Sequence, residues 1–306
     1  MTKFSIIVPC FNAEQTISAT LKGFQAQTHA DWEAIIVDDG SSDASCDIVQ
    51  KIARRDDRIK LVFNLGKGPS AARNYGAMNV ARNEIIAFCD ADDIWTETKL
   101  ETLANAFSNP KTHGAFGQIA FFNDTPSDAS VYSTVPQAQL SIDMLLGENP
   151  VCTCSNITMR RDAFVATGGF STKLVHNEDL DWLVRAVGQG LRIKGLHQLH
   201  TYYRTSPRGL SSDLAAMERS RQEVLKTAAS FGAMPSATSN AIYNRYLSRR
   251  ALRMSEDRFL PLRFAFAGMR ISPAGFFSSP RRGALTLLAA LSVPVLPRPI
   301  ARRLFT

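Results

Sequence analysis

The stretch Ile85-Ile86-Ala87-Phe88-Cys89-Asp90-Ala91-Asp92-Asp93 decides how the chain is read. An apolar run of strand length ends abruptly in three carboxylates within four residues. Like charges this close repel, and each carboxylate favours its neutral form unless something positive sits among them. A divalent cation is the simplest such object. Mg²⁺ and Mn²⁺ prefer oxygen ligands, and Mg²⁺ is usually held by one or two carboxylates together with substrate phosphates. The bland alternative is a solvated acidic turn that also caps the next helix.

Upstream, strands and helices alternate. Phe4-Ser5-Ile6-Ile7-Val8, closed by Pro9, predicts a buried strand. Asn12 predicts an N-cap for a helix over Ala13 to Gln27, with Ile17, Leu21 and Phe24 at helical spacing. Glu33 to Val37 predicts a second strand, ending in Asp38-Asp39-Gly40-Ser41-Ser42-Asp43, and Ala44 to Ala53 a second helix. Ile59 to Phe63 predicts a third strand, followed by the loop Gly66-Lys67-Gly68 and a helix from Pro69. This alternation predicts a mostly parallel sheet covered on both faces, with ligands at the carboxyl ends of the strands. Three strand ends carry acidic or glycine-rich loops, and all three belong on one edge.

Downstream the pattern is less regular. Leu100 to Phe107 predicts a helix, and Gly114 to Phe122 and Ser155 to Met159 predict strands. Leu191 to Tyr203 predicts one or two more strands, and Asn123 to Ala138 a polar loop. Cys152 and Cys154 alternate on an expected strand and share a face. The segment from Glu178 through Asp179, Asp181 and Trp182 to Arg185 enters a helix. Its acids suit a helix N-terminus, and Arg185 stands one turn from Asp181 as an intrahelical partner.

The 306 residues carry a net charge of +7, unevenly placed. From Arg249 onward there are eleven arginines, no lysine and only Glu256 and Asp257 as acids, a net +9 that leaves −2 for the first 248 residues. The basicity belongs to the tail. That argues against nucleic acid as a partner of the body and for an anionic surface met by the tail. The five cysteines form no C-x-x-C pair, which disfavours a disulfide framework or zinc site and fits a reducing compartment. No signal peptide is expected, since the strand pattern starts by Phe4, and no apolar run reaches transmembrane length.

Gly66-x-Gly68-x-x-Ala71 follows a strand and opens a helix, with carboxylates about 20 residues on, as in a dinucleotide-binding fingerprint. It has two faults for an oxidoreductase. Two strand–helix units precede it, and a ribose ligand should be a single acid. Three aspartates beside a pyrophosphate ask for a metal, which nicotinamide cofactors do not use. The other reading is a nucleoside-diphosphate donor with a metal on its phosphates. Asp39 then accepts from a base imide or ribose hydroxyl. Arg73 offers a planar fork to phosphate or to an aspartate, Asp92 holds the cation, and Asp90 meets the ribose or a metal-bound water.

Six motifs in order make the chain resemble the family 2 glycosyltransferases of GT-A fold. They are Ser5-Ile6-Ile7-Val8-Pro9-Cys10-Phe11-Asn12, Val37-Asp38-Asp39-Gly40-Ser41-Ser42-Asp43, Gly68-Pro69-Ser70-Ala71-Ala72-Arg73-Asn74-Tyr75-Gly76, Asp90-Ala91-Asp92-Asp93, Gly168-Gly169-Phe170 and Glu178-Asp179-Leu180-Asp181-Trp182. The resemblance implies an α/β GT-A catalytic region over 1–215, with a nucleotide-binding half to 107 and an acceptor half from 108. A helical, basic-amphipathic region follows over 216–306. It also implies that Pro9, Phe11 and Asp39 line a nucleotide pocket, with Arg73, Asp90 and Glu178 as further contacts to the nucleotide-sugar. Asp92 is the implied ligand of Mg²⁺ or Mn²⁺, and Asp179 the implied catalytic base.

Transfer with inversion is an in-line displacement at the anomeric carbon, so the base and the metal ligand should come from different segments, as they do here. The expected reaction moves a sugar from a nucleotide-diphosphate sugar to a saccharide or lipid-linked saccharide hydroxyl in surface polysaccharide or lipopolysaccharide synthesis. A glycoside hydrolase also uses two carboxylates but does not require Asp39 and Arg73. A catalytically silent scaffold of the same fold is a further alternative. The chain departs from the family pattern after Tyr202-Tyr203-Arg204, where a histidine is often found and Ser206 stands, leaving His200 or Arg208 as substitutes.

The tail predicts a helix over Arg258 to Ile271 with Pro261 in its first turn. Phe259, Leu262, Phe266 and Met269 fall on one face and Arg263 and Arg270 elsewhere. Arg281-Arg282 then precede the mostly apolar Ala284 to Pro297, and Arg298, Arg302 and Arg303 follow. Too short to span, this stretch fits an in-plane anchor on an anionic membrane surface, or else a helical layer on the catalytic region. The expected location is cytoplasmic, peripheral on the cytosolic face of the inner membrane.

Overall fold

The computed structural model describes residues 2–205, 214–255 and 257–297. In chain order, β1 (Phe4–Cys10), α1 (Ile17–Gln25), β2 (Trp32–Asp38), α2 (Ser45–Ala53), β3 (Ile59–Phe63), α3 (Pro69–Tyr75) and β4 (Ile85–Phe88) alternate. Next come β5 (Ile94–Trp95), α4 (Lys99–Phe107), β6 (Gly114–Phe122), β7 (Val131–Tyr132), α5 (Ile142–Gly147), β8 (Thr158–Arg160), α6 (Arg161–Ala166), α7 (Glu178–Gly188) and β9 (Ile193–Arg204). The helices α8 (Leu214–Ser230), α9 (Ala237–Met254), α10 (Leu260–Ile271), α11 (Pro273–Phe276) and α12 (Pro280–Ser292) complete the described chain.

Contacts divide the chain into two units, Met1–Leu140 with Pro150–Ser206, and Ser141–Asn149 with Pro207–Thr306. Ser141–Asn149 thus groups with the C-terminal helices, although it lies inside the segment expected to be catalytic.

The first unit holds one nine-stranded sheet in the order β3-β2-β1-β4-β8-β6-β9-β5, with β7 paired to β6. β1 to β4 are mutually parallel, and β8 runs antiparallel to β4. Strands covered on both faces read as near-continuous apolar runs, and Ile6, Ile7, Val8, Ile35, Ile36 and Val37 are all fully buried. The register puts Cys10 beside Asp38 and Asp38 beside Phe63. The loops after β1, β2, β3 and β4 therefore share one edge, as the alternation predicts.

A π-helical turn, Gly76–Val80, extends α3 and lies close on β1 and β2. A Cβ at Gly76 would fall 2.6 Å from Ile7 Cγ2 and 3.0 Å from Val37 Cγ2, so only glycine permits this approach.

Several local expectations change. Asn12 is not a helix cap: it takes a left-handed conformation (φ 48°), and its Oδ1 accepts from the Ser42 N–H at 2.9 Å. Its short amide tolerates that region, and α1 begins only at Ile17. Cys152 and Cys154 do not share a strand face. Cys152 is exposed in a left-handed turn, Cys154 is buried in a 3₁₀ turn over Cys154–Asn156, and β8 starts at Thr158. Leu191 to Tyr203 resolves into the single strand β9.

In the second unit, α9 packs against α5, α10, α11 and α12. Ala241, Ala265, Phe276 and Ala290 form its small core, with Leu262, Met269, Phe277 and Leu287 against it. Small residues at the crossings let the helices approach closely. Arg245 is buried there, donating to the Phe276 carbonyl at 2.9 Å and pairing with Glu148 at 3.5 Å.

The face of α10 differs from the expected one. Leu262 and Met269 turn inward, while Phe259, Arg263, Phe266 and Arg270 are exposed. On α12, Leu285, Leu288 and Leu291 are exposed, with Val295 beyond its end. Among the described residues no helix is long and apolar enough to cross a membrane. Arg298, Arg302 and Arg303 lie outside the described residues.

Candidate active site

The site builds up on the strand edge of the first unit. At the end of β2, Asp38 is buried and accepts from the N–H groups of Gly40 and Ser41, which shapes its own turn. Asp39 faces the glycine loop. Its Oδ1 accepts from Asn64 Nδ2 at 2.7 Å and its Oδ2 from the Gly68 N–H at 2.8 Å. Lys67 donates to the Asp39 carbonyl at 2.9 Å and lies 5.2 Å from the ring centre of Phe11. Pro9 precedes this loop on β1, and Phe11 is 57% exposed, an aromatic face open beside an acidic hydrogen-bond acceptor. The glycine loop thus follows the third strand and is held by Asp39, an arrangement unlike a first-strand dinucleotide fingerprint.

The strand-end cluster is sharply differentiated. Asp90 accepts from Arg73 at 2.5 Å, its Oδ2 accepts from Thr153 Oγ1 at 3.4 Å, and its N–H donates to Ser155 Oγ at 2.8 Å. The Asp92 carboxyl is pushed up to about 6, first by burial and then by the Asp90 charge. Asp93 is fully buried and its carboxyl is raised well above the usual range, by burial and then by Asp92.

Arg204 frames this cluster. Its N–H donates to Asp93 Oδ1 at 2.9 Å, and its guanidinium donates to the carbonyls of Asp92, Asn123 and Asp124 while lying 4.5 Å over Phe122. Beneath the loop, Lys99 is fully buried. It donates to the Ser155 carbonyl at 2.7 Å and to Thr201 Oγ1 at 3.1 Å, with its ammonium 3.8 Å over Trp95. Burial pulls the Lys99 ammonium down to about 7.

Arg204, Lys99 and Ser155 are not singled out by the sequence pattern. Their distance along the chain hides them, and only the position of Arg204 within the Tyr202-Tyr203-Arg204 segment hinted at it. His200 does not stand in for the missing histidine. It is 1% exposed, its Nε2 lies 2.7 Å from Thr102 Oγ1, and burial depresses its imidazole to about 3. Ser206 and Arg208 lie outside the described residues.

These donors suit a hard cation. All are oxygen, and two of the carboxyls, Asp92 and Asp93, have proton affinity raised first by burial and then by neighbouring acids, an effect a bound cation would oppose. Among the described residues no three His, Cys, Asp or Glu side chains converge into a ready-made metal cage. Asp92 is the carboxylate that would hold a Mg²⁺ or Mn²⁺ ion here, and such an ion would supply positive charge to a diphosphate.

The second wall is the start of α7. Asn177 precedes it in a left-handed conformation (φ 58°), and Glu178, Asp179 and Asp181 fill the first turn. Glu178 accepts from Arg73 at 3.1 Å. Asp181 pairs with Arg185 at 2.9 Å, the expected i,i+4 contact. Arg185 also donates to the carbonyls of Thr167 and Gly169, and Trp182 Nε1 donates to Thr167 Oγ1. The Asp179 carboxyl is pushed up to about 7, by burial and then by the Glu178 charge, with Arg73 opposing.

The Gly168-Gly169-Phe170 turn locks the two walls together. Asn74 donates to the Phe170 carbonyl at 2.7 Å and accepts the Phe170 N–H at 2.8 Å. Gly169 has φ +68°, and a Cβ there would press on Asn74 Oδ1 at 2.5 Å. Buried Cys154 lies within electrostatic reach of Asp90, Arg73, Glu178 and Asp179, its thiol raised by burial.

A mixed sheet with an acid-ended strand facing an acid-started helix defines the class, and the GT-A fold describes it. The family model "Glycosyl transferase family 2" matches residues 5–167. An Escherichia coli relative, the UDP-Glc:alpha-D-GlcNAc-diphosphoundecaprenol beta-1,3-glucosyltransferase WfgD, is 32% identical over 211 residues, covering 68% of this chain and 79% of its own. Among solved structures, Staphylococcus aureus TarS 1–349 in complex with UDP-GlcNAc superposes with a TM-score of 0.65 at 18% identity, covering 96% of this chain and 87% of TarS 1–349. The mannosyltransferase PcManGT from Pyrobaculum calidifontis, in complex with GDP-Man and Mn²⁺, gives 0.59 at 16% identity, covering 99% and 78%. This chain belongs to glycosyl transferase family 2, and it is a glycosyltransferase.

Proposed function

We propose that the protein is an inverting glycosyltransferase. It moves a sugar from a nucleoside-diphosphate sugar to a hydroxyl of a lipid-linked saccharide, in surface polysaccharide or lipopolysaccharide synthesis. The observation that carries this reading is Asp179: a half-buried carboxylate with raised proton affinity, one residue from the Glu178 that Arg73 joins to Asp90. Phe11, Pro9 and Asp39 take the nucleotide end, Asp90 the ribose and Asp92 the cation. Asp179 accepts the acceptor hydroxyl's proton as the new oxygen–carbon bond forms at the anomeric carbon. The bond to the diphosphate breaks, and its electron pair leaves on the phosphate oxygen. A bound Mg²⁺ or Mn²⁺ supplies charge stabilisation to that leaving group. A pKa near neutrality suits a general base, which must be ionised yet still basic.

A UDP-sugar is the first donor to test, because WfgD by name uses UDP-Glc and TarS binds UDP-GlcNAc. The diphosphoundecaprenol in the name of WfgD suggests the acceptor class. Incubating the protein with UDP- and GDP-sugars, Mn²⁺ and a polyprenyl-diphosphate saccharide tests the reading. Turnover lost in Asp179→Asn with nucleotide binding kept is the expected result. No turnover of any donor by the wild type, together with unchanged nucleotide binding in Asp92→Ala, would reject it.

The second unit's exposed faces support a peripheral place on the cytosolic face of the membrane. Phe259 and Phe266 alternate with Arg263 and Arg270 on α10, and α12 exposes Leu285, Leu288 and Leu291. Aromatic and aliphatic side chains interleaved with arginine suit an anionic lipid surface. Co-sedimentation with anionic but not neutral vesicles is expected, and equal binding after Leu285→Glu and Leu288→Glu would sink the idea.

A further inference from the structure

We infer that Arg73 is a strut between the two walls of the site rather than a ligand of the donor: it bridges Asp90 on the strand-end loop and Glu178 at the start of α7, and so fixes where Asp179 stands. The Arg73 side chain is only 6% exposed, and its two terminal nitrogens are both engaged, one at 2.5 Å from Asp90 and one at 3.1 Å from Glu178. The guanidinium carbon lies 5.9 Å from the centre of the Phe170 ring. A planar fork reaches two carboxylates in fixed directions, which a lysine ammonium on a flexible stem does not do.

The residue after the fork reinforces it. Asn74 pins Phe170 through both its amide groups, and Arg185 of α7 grips the same turn through the Gly169 carbonyl. α3 therefore holds α7 by two routes, one charged and one neutral. The start of α7 is entered through Asn177 in the left-handed region, which its short amide tolerates. The charged route, Arg73 to Glu178, ends on the residue next to Asp179. Arg73 is thus a positioning residue, acting through Glu178.

This inference rests on Asp179 being the base, and the test separates the two. Arg73→Gln, Glu178→Gln and the double variant are compared with wild type for UDP binding with Mn²⁺ by calorimetry. They are also compared for turnover of whichever UDP-sugar the wild type uses. Each single variant is expected to lose on the order of 10²-fold in kcat, the cost of misplacing a reacting group by about 1 Å. The double variant is expected to be no slower than the slower single, because both remove one contact. UDP affinity in Glu178→Gln is expected to stay within about threefold of wild type. Arg73→Lys, which restores charge without the fork, is expected to remain about tenfold slow.

Losses that multiply in the double variant would overturn the inference. So would a tenfold or greater fall in UDP affinity for Arg73→Gln with kcat unchanged in Glu178→Gln, since Arg73 would then serve the phosphates. If Arg73→Gln does not fold, the partly exposed Glu178→Gln decides alone: kcat at the wild-type value rejects the strut. If the wild type turns over no donor, the functional reading fails, and hydrogen exchange of the peptide spanning Asn177–Asp181 still decides the strut. Faster exchange in both singles, with no further gain in the double, supports it, and wild-type exchange in both singles rejects it.

Discussion

The protein carries two clusters of three acids within four residues, Asp90/Asp92/Asp93 at a strand end and Glu178/Asp179/Asp181 at a helix start, and they solve charge crowding differently. In the helix cluster each outer acid meets an arginine: Glu178 shares Arg73 with Asp90 of the other cluster, and Asp181 meets Arg185. Asp179 between them holds the raised proton affinity alone. In the strand cluster only Asp90 has a close arginine, and both Asp92 and Asp93 are pushed up. Arg204 opposes the rise only in part, since its guanidinium donates to backbone carbonyls rather than to these carboxylates. One cluster leaves a single carboxyl with raised proton affinity, and the other leaves two adjacent ones, raised first by burial and then by neighbouring acids. Similar acid content therefore suits the two different roles proposed above, base for Asp179 and metal ligand for Asp92, according to where the arginines point.

The largest expected effect separates the clusters directly. Asp179→Asn should cost on the order of 10³-fold in kcat while leaving UDP binding with Mn²⁺ intact, as removal of a general base does. Asp92→Ala should show the reverse signature, losing the Mn²⁺-dependent part of UDP binding in calorimetry along with turnover. If both variants lose nucleotide binding equally, the division between the clusters is wrong.

A pH series sharpens the comparison. Asp179 must be ionised to accept a proton, so log kcat/KM should rise with pH and level off above about 7. Glu178→Gln removes a neighbouring charge that raises Asp179, and should move that limb to lower pH. Stability should run the other way. The folded carboxyl binds its proton more tightly than the unfolded one, so its contribution is full below the unfolded value near 4 and is lost as pH rises through about 7. Asp179→Asn escapes that loss. Its melting temperature relative to wild type should therefore climb between pH 4 and 8, corresponding to on the order of 1–4 kcal/mol.

The smallest effect is the control. Arg185→Gln should lower stability by about 1–3 kcal/mol in urea melts, through the carbonyls of Thr167 and Gly169 and the Asp181 carboxylate left without their donor. It should leave the pH limb where it is. A shifted limb would mean that Asp181 and Asp179 are not independently set.

Much of this was legible in the sequence because the parallel half is written in local units. β1 to β4 are continuous apolar runs with polar ends, and parallel alternation alone places those ends on one edge. Asp39, Asp90, Asp92 and Asp179 were visible as acids at element boundaries. What stayed hidden depends on contacts that periodicity cannot carry. Asn12 carries the composition of a cap but is drawn into a left-handed turn by Ser41 and Ser42 of a different loop. Cys152 and Cys154 alternate as a strand would, yet the 3₁₀ turn that starts at Cys154, with Thr153 as its cap, puts Thr153 and Ser155 on Asp90. Lys99 reads as a surface residue opening a helix, and only the fold encloses it against Trp95, Thr201 and the Ser155 carbonyl. On α10, helical spacing put Phe259, Leu262, Phe266 and Met269 on one face, and the neighbouring helices cover only Leu262 and Met269 of it.

The antiparallel pairing of β8 with β4 bears on the order in which the site comes into being as the chain is synthesised. Arg73 and Asp90 are 17 residues apart and Arg73 and Glu178 are 105 apart. The donor-side pair is therefore complete while most of the opposite wall has still to leave the ribosome. The Arg73–Glu178 contact can form only once α7 has been made. On the roles proposed above, a half-made chain thus carries a donor contact before it carries the base.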